Sequence, residues 1–147
     1  MSEPGALLSA SALTAFRLNG QFMEVAERLA RPAGLTAAWW QVLGAVLKEP
    51  LPVAGIARVM GMTRQGVQRI ADLLVEKGLA EYLPNPAHRR AKLLRPTPEG
   101  LAAVRKIDPG HQELAERMMA ELGEADWSAA LQALRRLSAA LEAIETS

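Results

Sequence analysis

Residues 53–95 of the chain read VAGIARVMGMTRQGVQRIADLLVEKGLAEYLPNPAHRRAKLLR, and this stretch decides the fold. It begins with apolar residues three and four positions apart, which predicts a helix of about two turns. We expect this helix to end at Gly61, because glycine readily adopts the left-handed backbone found at many helix C-termini. Thr63 is then expected to cap a second helix, and Gly78 to end it.

The second predicted helix has an apolar face and a polar face. Four apolar residues recur along it at helical spacing: Val67, Ile70, Ala71 and Leu74. The opposite, outward face carries Arg64, Gln65 and Gln68, with Arg69 and Asp72 at its margin. Arginine and glutamine form paired hydrogen bonds with guanine and adenine, and here they lie in the first two turns, where a recognition helix contacts bases. The outward face is therefore a candidate DNA-reading surface, with plain solvation as the alternative.

A short basic hairpin is predicted to follow the two helices. LAEYL (79–83) and AKLLR (91–95) suit strands, and PNPAHRR (84–90) suits the loop between them, with Asn85 at a turn. Because the two helices are so close in sequence and each has one apolar face, they must cross steeply to share a core. The pattern predicts a mainly α-helical fold with a small β-hairpin wing, which is a winged helix-turn-helix. In the loop, His88, Arg89 and Arg90 are placed to contact a minor groove or flanking phosphates.

Positive charge is concentrated in the same part of the chain. Residues 58–95 contain eight lysines and arginines and three acidic residues, a net charge of +5, whereas the whole chain carries +1. A phosphate backbone responds to the local charge, so a near-neutral total is compatible with DNA binding. This charge distribution favours double-stranded DNA as a partner over plain solvation of the polar face.

The composition excludes several classes of protein. There is no cysteine, which excludes disulfides, thiolate metal sites and thiol-based redox sensing and agrees with a cytoplasmic location. No apolar run approaches the ~20 residues of a membrane span, and the N-terminus does not resemble a secretion signal. His88 and His111 are isolated, and no nucleophile–base set, paired carboxylates or metal-ligand spacing is present. We therefore expect no enzymatic activity, no cofactor and no metal.

The two ends of the chain are predicted to be helical and to pair two copies of the protein. Residues 1–6 are expected to be disordered, and a helix with apolar residues on two sides follows up to about residue 30. Towards the C-terminus, two sets of apolar residues repeat every seven positions: Trp127, Leu134 and Leu141, and Ala130, Leu137 and Ile144. Packing within one monomer is the alternative. We expect an N-terminal dimerisation helix (1–34), a winged helix-turn-helix DNA-binding domain (35–100) and C-terminal dimerisation helices (101–147), and hence a homodimer.

The sequence resembles the MarR family of bacterial transcription regulators. The resemblance lies in GMTRQGVQRIADLLVEKGLAEYLPNPAHRRAKLLRPTPEG, residues 61–100, of which the run from EKGL through HRRAKLL to TPEG is fairly specific. The resemblance implies a triangular homodimer, paired by its N- and C-terminal helices, that binds a pseudo-palindromic operator. It also implies, as for many members, a repressor that is released when a small anionic or aromatic ligand enters a cleft between the dimer helices and the DNA-binding domain.

The resemblance also assigns candidate DNA-binding residues by position. Beside the capping Thr63, the residues implied to face the major groove are Arg64, Gln65, Gln68 and Arg69. Arg90 corresponds to the wing arginine that enters the minor groove, next to Arg89. One position departs from the family, because His88 stands where an aspartate usually holds the wing arginine. Since histidine cannot form that ion pair, we expect either a looser wing or a contact of His88 itself with phosphate.

A candidate effector site follows from the same resemblance. Trp39 and Trp40 fall on the helix that borders the ligand cleft in the family. Adjacent helical residues point about 100° apart, so one tryptophan is expected to face the core and the other to line a pocket with Phe16. Arg17 is placed to bind a carboxylate of the ligand. For each tryptophan taken singly, packing in the core is the alternative.

Two functions are compatible with these features. The first is a dimeric, ligand-responsive regulator that binds specific DNA sequences, usually as a repressor. The second is a winged-helix module that binds another protein, for instance as an antagonist of another regulator, and does not bind an operator. The arginines of the outward face and of the wing favour the first function.

Overall fold

The computed structural model describes residues 2–146, which form seven α-helices, one short 3-10 helix (Arg31–Ala33) and a small antiparallel sheet. In chain order the elements are α1 (Glu3–Ala30), α2 (Ala37–Ala45), β1 (Leu51–Pro52), α3 (Val53–Met60), α4 (Arg64–Glu76), β2 (Ala80–Leu83), β3 (Leu93–Pro96), α5 (Pro98–Arg105), α6 (Asp108–Leu122) and α7 (Glu124–Thr146). The mainly helical fold with a β-hairpin wing is confirmed. The chain divides into two compact units between Asp108 and Pro109. Among residues 2–146, no helix is both long enough and apolar enough to cross a membrane.

The first helix begins earlier than the sequence predicts. Residues 1–6 are expected above to be disordered, but α1 starts at Glu3; residue 1 lies outside the described part of the chain. The Ser2 hydroxyl caps the helix by accepting a hydrogen bond from the backbone N–H of Gly5 at 3.2 Å. Pro4 lies in the first turn, where its missing N–H costs nothing, and Glu3 adds negative charge at the positive end of the helix. The prediction was wrong for the described residues of this stretch, because a proline in the first turn of a helix is compatible with a helix start.

Two side chains satisfy the free N–H groups at the start of α2. The Thr36 hydroxyl accepts a hydrogen bond from the N–H of Trp39 at 3.1 Å and so caps the helix. The Glu27 carboxylate, on α1, accepts a second one from the N–H of Ala37 at 2.7 Å. This second bond fixes α2 against α1 and was not predictable from local patterns, because the two residues are ten positions apart and lie on different helices.

The helix-turn-helix has the predicted boundaries. Helix α3 ends at Gly61, whose φ is 64°, and α4 is followed by Gly78, whose φ is 77°, so both glycines have a left-handed backbone. The apolar stripes of the two helices meet in one core: Ile56 of α3 and Leu74 of α4 are fully buried. Burying these stripes decides that the polar face of α4 points to solvent.

The wing is part of a three-stranded sheet in which β3 lies between β1 and β2. Strands β2 and β3 form the predicted hairpin, with Tyr82 opposite Leu94. The third strand was not predicted: Leu51 and Pro52 pair with Leu94 and Leu93. A two-residue strand shows no alternation of apolar and polar residues, and proline is an unusual strand residue, so the local sequence did not reveal it.

The second compact unit contains α7 and nearly all of α6. Helix α6 is followed by Gly123, which has a left-handed backbone with a φ of 77°. Along α7, four apolar residues at the predicted heptad positions are exposed: Leu134, Leu137, Leu141 and Ile144. These four residues form an exposed apolar surface along α7, called the seam below. An exposed apolar surface of this kind is typical of a protein-interaction site.

Candidate nucleic-acid interface

Helix α4 presents the predicted polar face to solvent. Its buried residues include Val67, Ala71 and Leu74. Its exposed residues include Arg64, Gln65, Gln68 and Arg69. The buried and exposed residues lie on opposite faces because of helical geometry. When the apolar residues pack in the core, the residues between them point to solvent.

Thr63 and Gly66 together form the N-terminal cap of α4. The Thr63 hydroxyl accepts a hydrogen bond from the backbone N–H of Gly66 at 3.0 Å and so caps the helix. A Cβ built on Gly66 would lie 2.9 Å from that hydroxyl oxygen, closer than such atoms normally come. Glycine therefore leaves room for the cap, which gives Gly66 a structural role within the protein itself.

The wing loop holds its basic residues in two successive turns. The side-chain oxygen of Asn85 accepts a hydrogen bond from the N–H of Ala87 at 3.0 Å, and its carbonyl accepts one from the N–H of His88 at 3.1 Å. A second turn follows, closed by a bond from the N–H of Ala91 to the carbonyl of His88 at 3.2 Å. Arg89 and Arg90 lie within this second turn, and both are exposed.

Helix α4 and the wing line a common surface depression. The predicted DNA-contacting residues around it are Arg64, Gln65, Gln68 and Arg90, and Lys92 joins them. A second depression, on the other side of α4, is lined by Thr63, Arg69 and again Gln65 and Gln68. His88 and Arg89 line neither depression. The structure thus brings Arg90 of the wing loop and the outward face of α4 together around one concave surface.

Some basic residues of the 58–95 stretch interact with acidic or aromatic side chains of the protein, and others form no ion pair with the residues that the structure describes. The Arg95 guanidinium lies 2.5 Å from the Glu81 carboxylate, and the Lys77 ammonium lies 5.8 Å from the ring centroid of Trp39. Within residues 2–146, by contrast, no ion pair engages Arg64, Arg69 or Arg90. The charges of these three arginines remain available for phosphate and base contacts.

Three side chains connect α4 to the wing by hydrogen bonds. The Gln68 Nε2 donates to Asp72 Oδ1 and to the Tyr82 hydroxyl, each at 3.0 Å, and the Tyr82 hydroxyl donates to Asp72 Oδ1 at 2.6 Å. Burial, together with the neighbouring Asp72 carboxylate, raises the pKa of Tyr82 from 10.0 to about 12. Sequence reasoning missed the role of Tyr82. The available signal was its position, as the one tyrosine of the chain in the strand directly after the recognition helix.

The candidate effector residues lie on α1 and α2. Phe16 is 71% exposed on α1, whereas Trp39 and Trp40 are partly buried and pack against the core. Arg17 is exposed next to Phe16. None of the four lines either of the depressions at α4, so a pocket formed by these residues stays a prediction.

Sequence comparisons agree with this geometry. A profile described as MarR family matches residues 33–91. An uncharacterised protein of Mycobacterium tuberculosis is 38% identical over 128 residues, which cover 87% of this chain and 90% of that protein. The multiple antibiotic resistance protein MarR of Salmonella typhimurium is 30% identical over 96 residues, which cover 61% of this chain and 67% of that protein.

Solved structures have the same fold. The transcriptional regulator MosR of M. tuberculosis, in complex with DNA, has a TM-score of 0.75 and 25% identity, covering 90% of this chain and 96% of that one. BpsR of Bordetella bronchiseptica, whose DNA binding is regulated by 6-hydroxynicotinic acid, has a TM-score of 0.72 and 22% identity, covering 86% and 91%. Family and fold are those of DNA-binding regulators and not of enzymes. The chain belongs to the MarR family of transcription regulators.

Proposed function

We propose that the protein is a cytoplasmic, homodimeric repressor that binds a pseudo-palindromic operator and is released by a small effector. The observation that carries DNA binding is the arrangement of Arg64 and Gln68 on α4 around the same depression as Arg90 on the wing. In this arrangement α4 enters the major groove and the tip of the wing reaches the adjacent minor groove. The complex of MosR with DNA, in a protein of the same fold, supports DNA as the partner.

The proposed contacts fall into two groups with different consequences. Side chains on the outward face of α4 read base edges: Arg64, Gln65, Gln68 and Arg69. Those at its N-terminus and on the wing bind sugar and phosphate or enter the minor groove: Thr63, His88, Arg89 and Arg90. The first group sets sequence preference, and the second sets affinity and its dependence on salt.

Pairing of two copies is supported by exposed apolar residues at both ends of the chain. On α7, Leu134 and Leu141 are 41% and 56% exposed, and on α1, Leu13 and Phe16 are 67% and 71% exposed. Large apolar side chains repeated along a helix are unfavourable in water, and a symmetric second copy would cover them. Residues 1–34 and 101–147 then act as dimerisation helices, and residues 35–100 act as the DNA-binding domain.

The effector is proposed to be a small aromatic or anionic molecule. DNA binding by BpsR is regulated by 6-hydroxynicotinic acid, an aromatic acid, and BpsR has the same fold. In this chain Trp39 and Trp40 supply aromatic surface on α2, while Phe16 and Arg17 supply a ring and a cation on α1. An aromatic acid that binds there should release DNA from the wild type, and Arg17→Ala should raise the concentration needed.

Selection of bound DNA from a random duplex pool tests the proposed function most directly. We expect the recovered sequences to share a palindrome, because two symmetric copies of α4 would contact half-sites about 10–10.5 bp apart. Recovery of sequences without a common motif, combined with an affinity that does not fall as salt is raised, contradicts operator binding. That result would favour a winged-helix module that binds another protein.

A further inference from the structure

The hydrogen bonds among Gln68, Asp72 and Tyr82 fix the orientation of the Gln68 side-chain amide. An ionised carboxylate only accepts hydrogen bonds, and the hydroxyl of Tyr82 already donates to Asp72 Oδ1 at 2.6 Å. The amide nitrogen of Gln68, which lies 3.0 Å from the same Asp72 oxygen, must therefore be the atom that faces it. A rotated amide would place its oxygen against the carboxylate and lose both bonds.

The orientation decides which groups of Gln68 remain free for DNA. Its Nε2 lies 3.0 Å from both Asp72 Oδ1 and the Tyr82 hydroxyl, so the donor end of the amide is directed at the protein. Within the described part of the chain, no donor reaches the Gln68 oxygen. Gln68 is exposed and lines both depressions at α4, and the group that it offers DNA in this orientation is an acceptor, its side-chain oxygen.

Bases differ in how they match such a side chain. In the major groove adenine presents an amino donor and the N7 acceptor, and cytosine presents an amino donor, whereas guanine and thymine offer hydrogen-bond acceptors. A freely rotating glutamine can turn its nitrogen towards guanine or thymine. An amide held with its oxygen exposed meets those bases acceptor to acceptor, which is repulsive.

We propose that Asp72 and Tyr82 are positioning residues that determine specificity by restricting Gln68 to the bases that present an amino donor in the major groove, adenine and cytosine. The inference rests on the proposed function, since it requires Gln68 to contact DNA. Tyr82 can hold this role at neutral pH, because a tyrosine hydroxyl is protonated there and able to donate, and its raised pKa, about 12, extends this role to alkaline solution. The bond from β2 to α4 also means that the wing strand helps to set base preference.

The experiment compares DNA selected by four full-length proteins: the wild type, Asp72→Asn, Tyr82→Phe and Glu76→Gln. In Asp72→Asn the new side chain offers either an oxygen or a nitrogen, so the Gln68 amide can rotate. Tyr82→Phe removes the hydroxyl from the triangle of hydrogen bonds formed by Gln68, Asp72 and Tyr82. Glu76→Gln is the matched control, because it removes the same charge from an exposed residue of α4 that lines the second depression. It should raise affinity for all sequences without changing preference.

We expect the wild type to select adenine or cytosine, and to reject guanine and thymine, at one position in each half-site. In Asp72→Asn and Tyr82→Phe, discrimination at that position should fall by about tenfold, with guanine and thymine now accepted, while the rest of the motif is kept. An unchanged preference in both variants, beside a wild type that selects a clear motif, overturns the inference and leaves operator binding intact. A wild type that selects no motif overturns the proposed function and, with it, the inference.

A second measurement tests the hydrogen bonds among Gln68, Asp72 and Tyr82 in the absence of DNA. Tyr82 is the one tyrosine in the chain, so the ultraviolet absorbance of tyrosinate reports its titration alone. In the folded protein we expect a pKa well above the ordinary value of 10.0 and a lower pKa in Asp72→Asn, with Glu76→Gln like the wild type. An ordinary tyrosine pKa in the folded wild type, or no difference between it and Asp72→Asn, contradicts the triangle whatever DNA the protein binds.

Discussion

Gly100 packs directly against the backbone of Leu79, so closely that a Cβ built on the glycine would lie 1.9 Å from the Leu79 carbonyl oxygen. Thr97 holds the two segments together: its N–H donates to that oxygen at 3.1 Å, and its hydroxyl donates to the carbonyl of Gly78 at 2.6 Å. The same hydroxyl accepts the N–H of Gly100 at 3.1 Å. The TPEG sequence therefore joins the start of α5 to the end of the recognition helix, besides capping α5.

Gly100→Ala should destabilise the fold. The added methyl group meets backbone atoms that cannot move without breaking the Thr97 bonds, so we expect the free energy of unfolding to fall by about 1–3 kcal/mol. Urea denaturation at fixed protein concentration measures this. Gly44→Ala is the control, since a Cβ there meets nothing within 4 Å in α2, and it should be neutral or stabilising by about 0.5–1 kcal/mol. Equal stability of the two variants would show that α5 does not pack on Leu79 in this way.

Arg90→Ala should weaken DNA binding through the loss of an electrostatic contact. Affinity for the operator should fall steeply as salt is raised, and the magnitude of the slope of log affinity against log salt should drop by roughly 0.9 in the variant. Fluorescence anisotropy over a range of salt concentrations gives this slope. Arg105→Ala, outside the basic stretch, should keep the wild-type slope. If the Arg90 variant also keeps it, the wing does not contact DNA.

Gln68→Ala should reduce the sequence preference of the protein more than its general affinity for DNA. We expect the preference at one position per half-site to relax, at a cost of about 1–3 kcal/mol for the preferred base. Competition between operators that differ at single base pairs measures this. An equal loss of affinity on every sequence would instead assign Gln68 to the phosphate backbone.

Leu134→Glu combined with Leu141→Glu should produce monomers that no longer bind an operator tightly. Both leucines are exposed on α7 and seven residues apart, so the two carboxylates would place charge in the proposed dimer seam. Gln132→Glu with Ala139→Glu is the matched control, because these residues are also seven apart and exposed but lie away from the seam. Sedimentation velocity should give monomers for the first double variant and dimers for the second. Dimers in both cases would place the seam elsewhere.

The stability of the protein should depend on the ionisation of Tyr82 in alkali. Its pKa is about 12 when folded and about 10 when unfolded, so folding favours the protonated phenol. The resulting stabilisation is complete below pH 10 and is lost as the pH rises towards 12. The difference in free energy of unfolding between the wild type and Tyr82→Phe should therefore shrink across this range. A difference that is independent of pH would contradict the raised pKa.

Local sequence patterns were sufficient for the helix-turn-helix. The spacing of apolar residues, the cap at Thr63 and the glycines at 61 and 78 are all local signals, and each helix boundary of the motif agrees with them. The same holds for the exposed face of α4, because the positions of Val67 and Leu74 determine which residues point outward. The local charge balance then indicated DNA as the partner.

Contacts between distant residues were not predictable in this way. The pairing of β1 with β3, the bond from Glu27 to the start of α2 and the close approach of Gly100 to Leu79 each join segments that only folding brings together. The start of α1 at Glu3 is different, since its signal was local and was misread.

The sequence by itself determined the winged helix-turn-helix, the face of α4 that can read DNA and the basic wing, because periodicity, capping and charge act over a few neighbouring residues. Only the tertiary structure decided how Gln68 is presented, because Asp72 lies one turn further along α4 but the hydroxyl of Tyr82 comes from strand β2. A hydrogen bond requires its partners within about 3 Å, and for residues separated by a helix end and a turn that distance is set by the packing of the whole domain.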